Sequence, residues 1–278
     1  MGRPDDYSGT WRSPLDLGLA GKTALVTGST GGIGLAAAVG LAREGVHVFL
    51  NGRSRERVER ACARVFAAVP GAKVSSAAGD VSTADGVGAI VRAAPTVDVL
   101  VNNAGIFEPK AFAEITDDDW LRFFQTNVMS GVRLSRAYMP SMLTAGWGRI
   151  VFVASESAVQ IPAEMIHYGT TKTAQLAVAR GLAELTAATG VTVNSVLPGP
   201  TYSEGVGQFV NDLASARGTD AKTMEREFFT HARPSSLLKR FATTEEVANM
   251  IVYVCSAAAS ATNGAALRVD GGVIRSIL

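Results

Sequence analysis

The sequence predicts an α/β protein: a doubly wound parallel sheet in one domain, with helices on both faces. Three observations predict it. Short apolar runs alternate with longer helical patterns along most of the chain. A glycine cluster falls between the first apolar run and the first helical pattern. No internal repeat marks off a second domain, and 278 residues suit one large core. Right-handed crossovers leave few topologies, and the doubly wound sheet is the commonest of them.

The elements follow in order. Residues 1–18 carry Gly, Pro, Ser and Asp without periodicity and read as a tail or arm. Trp11 offers an anchor onto the body, although a loosely ordered extension suits the composition better. The body of the domain is expected over 19–278. Lys22–Thr27 (KTALVT) is a short apolar run, as expected of a strand buried on both faces. Strands are also expected over Val46–Asn51, Lys73–Gly79, Val97–Val101, Arg149–Ala154, Val191–Leu197 and Ala265–Val269. Helices are expected over Ser54–Ala68, Thr83–Ala93 and His167–Thr189. Thr116-x-x-Asp119 resembles a capping box opening a helix that runs toward Leu143, and Thr243-x-x-Glu246 opens another to about Cys255. Residues 201–240 break the rhythm. A long insertion in a compact domain is usually functional, and this one reads as a substrate lid.

Bulk properties narrow the function. Hydrophobic residues make up 47% and charged residues 18%, which is a globular composition. The net charge is +1 with no basic stripe, which argues against nucleic acid as a partner. No run reaches the roughly 18 apolar residues of a membrane span. The polar N-terminal residues show no apolar signal core, and Cys62 and Cys255 read as buried small hydrophobes. A cytoplasmic protein in a reducing compartment is expected. His47, His167 and His231 share no ligand spacing, so no metal site is indicated.

The loop Thr27-Gly28-Ser29-Thr30-Gly31-Gly32-Ile33-Gly34 follows the first strand and opens the first helix. Glycines permit a tight turn and let backbone N–H groups approach a pyrophosphate, where the helix N-terminus favours an anion. An acid at the end of the second strand would bond the ribose of NAD. This chain has Asn51-Gly52-Arg53-Ser54 there, and the Arg53 fork suits a 2′-phosphate. NADP(H) is therefore expected over NAD(H). Arg55 and Arg57 could help there, although solvated helix charges suit them better.

Taken together, these motifs resemble the short-chain dehydrogenase/reductase family in its short, single-domain, Rossmann-type branch. The resemblance rests on TGSTGGIG (27–34), NNAG (102–105), Asn127, Ser155, the YxxxK of Tyr168 to Lys172, PG (198–199) and DGG (270–272). It implies that Gly28, Ser29, Thr30, Gly32, Ile33 and Gly34 hold the coenzyme phosphates. It implies that Asp80 and Val81 meet the adenine, and that Asn102, Ala104 and Gly105 line the coenzyme. Pro198, Gly199 and Thr201 would flank the nicotinamide, and Lys172 would bond its ribose. Asn127 would hold a water linked to that lysine. A homodimer or homotetramer built on the helices around 117–143 and 167–189 is also implied. Gly31 departs from the basic residue many NADP-using members carry in this loop, which places more weight on Arg53.

The chemistry reads from the residues as well. Tyr168 and Lys172 are i and i+4 and share a helix face. A free phenol titrates near about 10. A cation about 4 Å away is worth roughly 4 kcal/mol at an effective dielectric near 20, so Lys172 is expected to pull Tyr168 toward neutrality. Tyr168 would then act as general acid/base toward a ketone or secondary alcohol. Ser155, just past a strand's carboxyl end, is placed to polarise the carbonyl, with Ser157 as its competitor. Glu156, Gln160 and His167 are candidate substrate contacts. Phe228 and Phe229 would pack over substrate or anchor the lid. The rival readings are an NAD-dependent alcohol dehydrogenase, a non-redox enzyme, and a non-enzymatic NADP-binding regulator on the same fold.

Overall fold

The computed structural model describes residues 16–207, Ala214 and residues 218–277. The expected tail therefore lies outside the described residues except for 16–18, as do parts of the expected lid. The strands are β1 (Thr23–Val26), β2 (His47–Leu50), β3 (Val74–Ser76), β4 (Val99–Asn102), β5 (Gly148–Val153), β6 (Val191–Pro198), β7 (Thr201–Tyr202), β8 (Ala242–Thr243) and β9 (Ala266–Val269). Seven of them form one parallel sheet in the order β3-β2-β1-β4-β5-β6-β9. This is the expected Rossmann-type, doubly wound sheet. Its order reverses beside β1, which opens a crevice beyond the carboxyl ends of β1 and β4.

Alternation along the strands builds two cores. Ala24, Val26, Val99, Val101, Val151 and Val153 face one side, with α1 (Gly32–Arg43), α2 (Arg55–Ala68) and a late helix covering them. Leu25, Leu100, Ile150 and Phe152 face the other, under α3 (Ala84–Ala93) and two later helices. Phe152 is fully buried, and its truncation to Ala would cost about 3–5 kcal/mol. Ser54 and Thr83 each accept a backbone N–H at a helix start. Thr116 and Thr243 form the two expected capping boxes. Each cap is worth about 1 kcal/mol.

The helical region from Thr116 differs from the expected single helix. It consists of α4 (Asp117–Phe124), a π-helical turn at Gln125–Met129 and α5 (Ser130–Ala145). Pro140 lies inside α5, where it removes one backbone donor. The π turn buries Asn127 and Val128, and π-bulges of this kind favour functional positions. The next helix, α6 (Ile166–Glu184), stops short of the expected Thr189; residues 185–189 turn back, with Ala188 left-handed at φ 61°. Cys255 is fully buried, as expected. Cys62 is only partly so, because α2 turns it toward the sheet edge.

The 201–240 insertion is rooted on its own ladder, where Thr201 pairs with Ala242 and Tyr202 with Thr243. Inside it stands α7 (Ala221–His231), and after it α8 (Thr244–Cys255) rejoins the first core. Phe228 and Phe229 pack on Phe241 with ring centroids 5.1 and 5.2 Å away. They anchor the insertion. No helix among the described residues is long and apolar enough to cross a membrane.

Candidate active site

Two adjoining clefts open beyond the sheet's carboxyl edge. The larger, of about 710 Å³, is lined by Gly28, Thr30, Arg53, Asp80, Val81, Ala104 and Gly105 among others. The smaller, of about 290 Å³, is lined by Ile33, Ser155, Tyr168, Lys172, Pro198, Gly199 and Thr201 among others. Asn103, Gly105 and Ile106 belong to both, so the two are continuous. The sheet thus gathers residues from 28 to 201 along one edge.

The glycine loop is shaped as a cradle. Gly28 adopts φ +60°, and a Cβ there would lie 2.9 Å from the Ala104 Cα. At Gly34 a Cβ would lie 2.5 Å from Asn103 Nδ2. Gly31 occupies the N-cap of α1, and no side chain caps that terminus. The first-turn N–H groups therefore stand free for an anion. Gly32 lines the smaller cleft beside them. A dinucleotide fits this set: a cleft of the right length, a cradle that side chains would fill, and uncapped donors at its floor.

Ser29 does not meet that cleft. It is fully buried, donates to the Val26 carbonyl at 2.7 Å and accepts from Asn51 N at 2.9 Å. Its hydroxyl braces the loop from beneath. Asn102 is likewise turned away from the cleft, with Nδ2 3.4 Å from Ser135 Oγ on α5. Strand alternation explains this: Asn102 closes β4 and points into the second core, while Asn103 points the other way. Asn103 Nδ2 donates to the carbonyls of Thr27 at 2.9 Å and Gly28 at 3.2 Å. Sequence reasoning missed Asn103, although the two-residue period of the strand held the signal.

Asn51 is the other missed residue. Its Nδ2 donates to the carbonyls of Ala77 at 2.9 Å and Gly79 at 3.1 Å, and its Oδ1 accepts from Gly28 N at 3.3 Å. It ties the ends of β1, β2 and β3 together and is spent on backbone. Gly52 is constrained as well, because a Cβ there would lie 2.6 Å from Thr30 Cγ2. Arg53, Ser54 and Arg57 line the cleft next to it. Arg57 is exposed and joins Arg53 along the cleft, the helping role the sequence also allows. Asp80 accepts from the N–H and hydroxyl of Ser82 at 2.9 and 2.7 Å, and those bonds with Arg53 hold its carboxyl below the usual range despite partial burial.

In the smaller cleft, Ser155 Oγ donates to Glu156 Oε2 at 2.5 Å and accepts from Ser157 N at 3.1 Å. The same hydroxyl acts on the Tyr168 phenol and lowers its pKa. Ser157 is buried and serves the turn. Lys172 Nζ donates to the Val153 carbonyl at 3.0 Å and lies 5.6 Å from the Tyr168 ring centroid. This corrects the expected tuning. Burial pushes the Tyr168 phenol up, Glu156 adds to that, and Ser155 and Arg233 oppose it, so the phenol stands above its free value instead of near neutrality. Burial itself brings Lys172 down to about 7. The lysine is turned to the Val153 carbonyl.

Asn127 is held by protein at both ends of its side-chain amide. Its Oδ1 accepts from Ile106 N at 2.8 Å, and its Nδ2 donates to the Ile106 carbonyl and to Thr171 Oγ1. Gln175 Nε2 donates to its main-chain carbonyl at 2.6 Å. Both side-chain donor hydrogens are spent on protein, which makes it a brace for the 103–106 loop. A Cβ on Gly105 would stand 3.4 Å from Asn127 Oδ1 and 3.5 Å from Lys172 Nζ, so the glycine keeps both within reach of the cleft.

None of the three candidate substrate contacts lines either cleft. His167 is fully buried against Phe123, with ring centroids 4.1 Å apart, and burial lowers its pKa. As the neighbour of Tyr168 on a helix, it points about 100° away, into the α4 packing. Gln160 is exposed and its Nε2 lies 3.4 Å from Ser235 Oγ. Glu156 is buried in an ion pair with Arg233, 3.0 Å from Nε. Arg233 also pairs with Glu164 at 3.2 Å. Seventy-seven residues separate Arg233 from Glu156 in sequence, so no local spacing announced it. Among the described residues no three His, Cys, Asp or Glu gather as a metal-holding group.

Comparison with known proteins agrees with this geometry. A family model described as short chain dehydrogenase matches residues 22–214. The oxidoreductases YvaG and YvrD of Bacillus subtilis (strain 168) are 46% and 47% identical to the chain. Each similarity covers 95% of this chain and 100% of the relative. The crystal structure of L-sorbose reductase from Gluconobacter frateurii, complexed with NADPH and L-sorbose, superposes with a TM-score of 0.90 at 34% identity. That match covers 95% of this chain and 100% of the other.

Proposed function

Given that the chain belongs to the short-chain dehydrogenase family and is an oxidoreductase of CH–OH groups with a nicotinamide cofactor, we propose that it is an NADP-dependent ketone reductase. The observation that carries this reading is the single cleft shared by Ser155, Tyr168, Lys172 and the Pro198–Thr201 wall. NADPH, when bound, supplies the hydride. Tyr168 gives the proton to the substrate oxygen. Its buried phenol is protonated at neutral pH, the form a proton donor needs. Ser155 shares its hydrogen with the same oxygen as charge develops there. Lys172 orients the ribose, and Asn127 fixes the loop opposite.

NADP is preferred over NAD because Asn51, at the position of the ribose-binding acid, is spent on backbone, while Arg53, Arg57 and Ser54 face the cleft. The NADPH complex of the Gluconobacter relative supports the same choice. The 201–240 insertion is the substrate lid. The chain works as a homodimer or homotetramer, and exposed Phe112, Leu121 and Phe124 around α4 suit such an assembly.

The test is NADPH consumption by the purified protein with a panel of ketones: ethyl acetoacetate, cyclohexanone, a ketosteroid and L-sorbose. Turnover that persists undiminished in Tyr168→Phe would refute the mechanism.

A further inference from the structure

A buried ion pair stands directly behind the proton-transfer residues. Glu156 and Arg233 are 5% and 8% exposed, and the Arg233 Nε lies 3.0 Å from Glu156 Oε1. The other carboxylate oxygen, Oε2, takes the hydrogen of Ser155 at 2.5 Å. Arg233 follows α7 in the insertion and is fixed there by its own bond to the Ala232 carbonyl and by Glu164. Its neighbours Ser235, Leu237 and Leu238 are stitched to the carbonyls of Val273 and Gly271.

A hydroxyl carries one hydrogen. In the structure that hydrogen has a claimant besides the substrate oxygen, namely the Glu156 carboxylate. A bare buried carboxylate would hold it tightly. A guanidinium on the far side of the carboxylate draws charge away and leaves the hydroxyl free to turn. We propose that Glu156 is a positioning residue for the Ser155–Tyr168 pair, and that Arg233 sets how tightly Glu156 holds the Ser155 hydrogen. The seating of the insertion and the aim of the hydroxyl then become one event. This rests on the reading of Tyr168 as the proton donor.

Among the described residues, the charged and titratable groups facing this unit are few. Glu156 meets Ser155, Tyr168 and Arg233; Arg233 meets Glu156 and Glu164; Tyr168 has Lys172 on its other side. The field at the phenol therefore has a definite sign structure: Glu156 pushes the Tyr168 pKa up and Arg233 pushes it down.

The experiment uses the full chain with NADP+ bound and reads the Tyr168 phenolate by ultraviolet difference against Tyr168→Phe. It also reads kcat against pH with NADPH and the fastest ketone of the panel. Glu156→Gln should move the phenol midpoint down and Arg233→Met should move it up. Each should lower kcat by about tenfold or more while KM for NADPH stays within about twofold. Midpoints that move together, or do not move, overturn the proposal. If Arg233→Met fails to fold, the double variant Glu156→Gln/Arg233→Met removes both buried charges and should fold again. Its kcat should stay low, and a double variant with the original kcat overturns the proposal. Failure of the underlying reading looks different: Tyr168→Phe would then turn over at the original rate, while the midpoint shifts remain measurable.

Discussion

Lys172 Nζ donates to the main-chain carbonyl of Val153 at 3.0 Å, which ties the middle of α6 to the last residue of β5. Among the described residues no carboxylate pairs with the ammonium, and burial lowers its pKa to about 7 from an unfolded value near 10.5. Between those values the unfolded chain binds more protons than the folded one, so stability rises with pH across that window. Lys172→Met should therefore stabilise the coenzyme-free protein by about 1–3 kcal/mol at pH below 7. The gain should shrink to nothing as pH approaches 10.5. Thermal melts across that range measure it; a gain independent of pH would contradict the burial of a charge.

Removal of the phenol hydroxyl tests the proton donor. Tyr168→Phe should lower kcat by about 10²–10⁴-fold while NADPH binding, read by coenzyme fluorescence, stays within about twofold. Equal loss of both would mean that the residue mainly builds the pocket.

Coenzyme choice is expected to follow the second strand's end. Arg53→Ala removes a charge-assisted contact worth about 1.5–3 kcal/mol. KM for NADPH should rise about 10–100-fold, with KM for NADH nearly unchanged. Steady-state kinetics with both coenzymes decide it, and parallel rises would assign Arg53 to the shared part of the molecule.

Asn51 should behave as a structural brace. Asn51→Asp turns both donors into acceptors opposite the carbonyls of Ala77 and Gly79. At about 1–3 kcal/mol for each carbonyl left unpaired, the variant should unfold at clearly lower denaturant concentration. Unchanged stability would show that water replaces the amide.

Gly28→Ala should abolish coenzyme binding. The residue needs φ +60°, and the new methyl would lie 2.9 Å from the Ala104 Cα. Calorimetric titration with NADPH reads the loss, and retained affinity would mean that the loop shifts to make room.

Most of the fold was legible from local patterns. Apolar runs marked the strands because a parallel sheet is buried on both faces, and Thr116 and Thr243 announced their helices through contacts three residues away. The π turn at Gln125–Met129 was not legible, because its cause is non-local: Asn127 is held by Ile106, Thr171 and Gln175.

By itself the sequence determined the alternation of strands and helices, the glycine cradle, and the presence of Ser155, Tyr168 and Lys172 at one end of the sheet. These follow from short-range periodicity and fixed spacing. Tertiary structure alone decided where each polar side chain spends its hydrogen bonds. It turned Ser29, Asn102 and His167 inward, brought Asn103 to the cleft and set Lys172 on a backbone carbonyl. It also carried Arg233 across 77 residues to Glu156. The physical reason is the same in each case. A side chain's direction is set by packing on elements distant in sequence, and a proton's affinity is set by burial and by charges that only folding brings near.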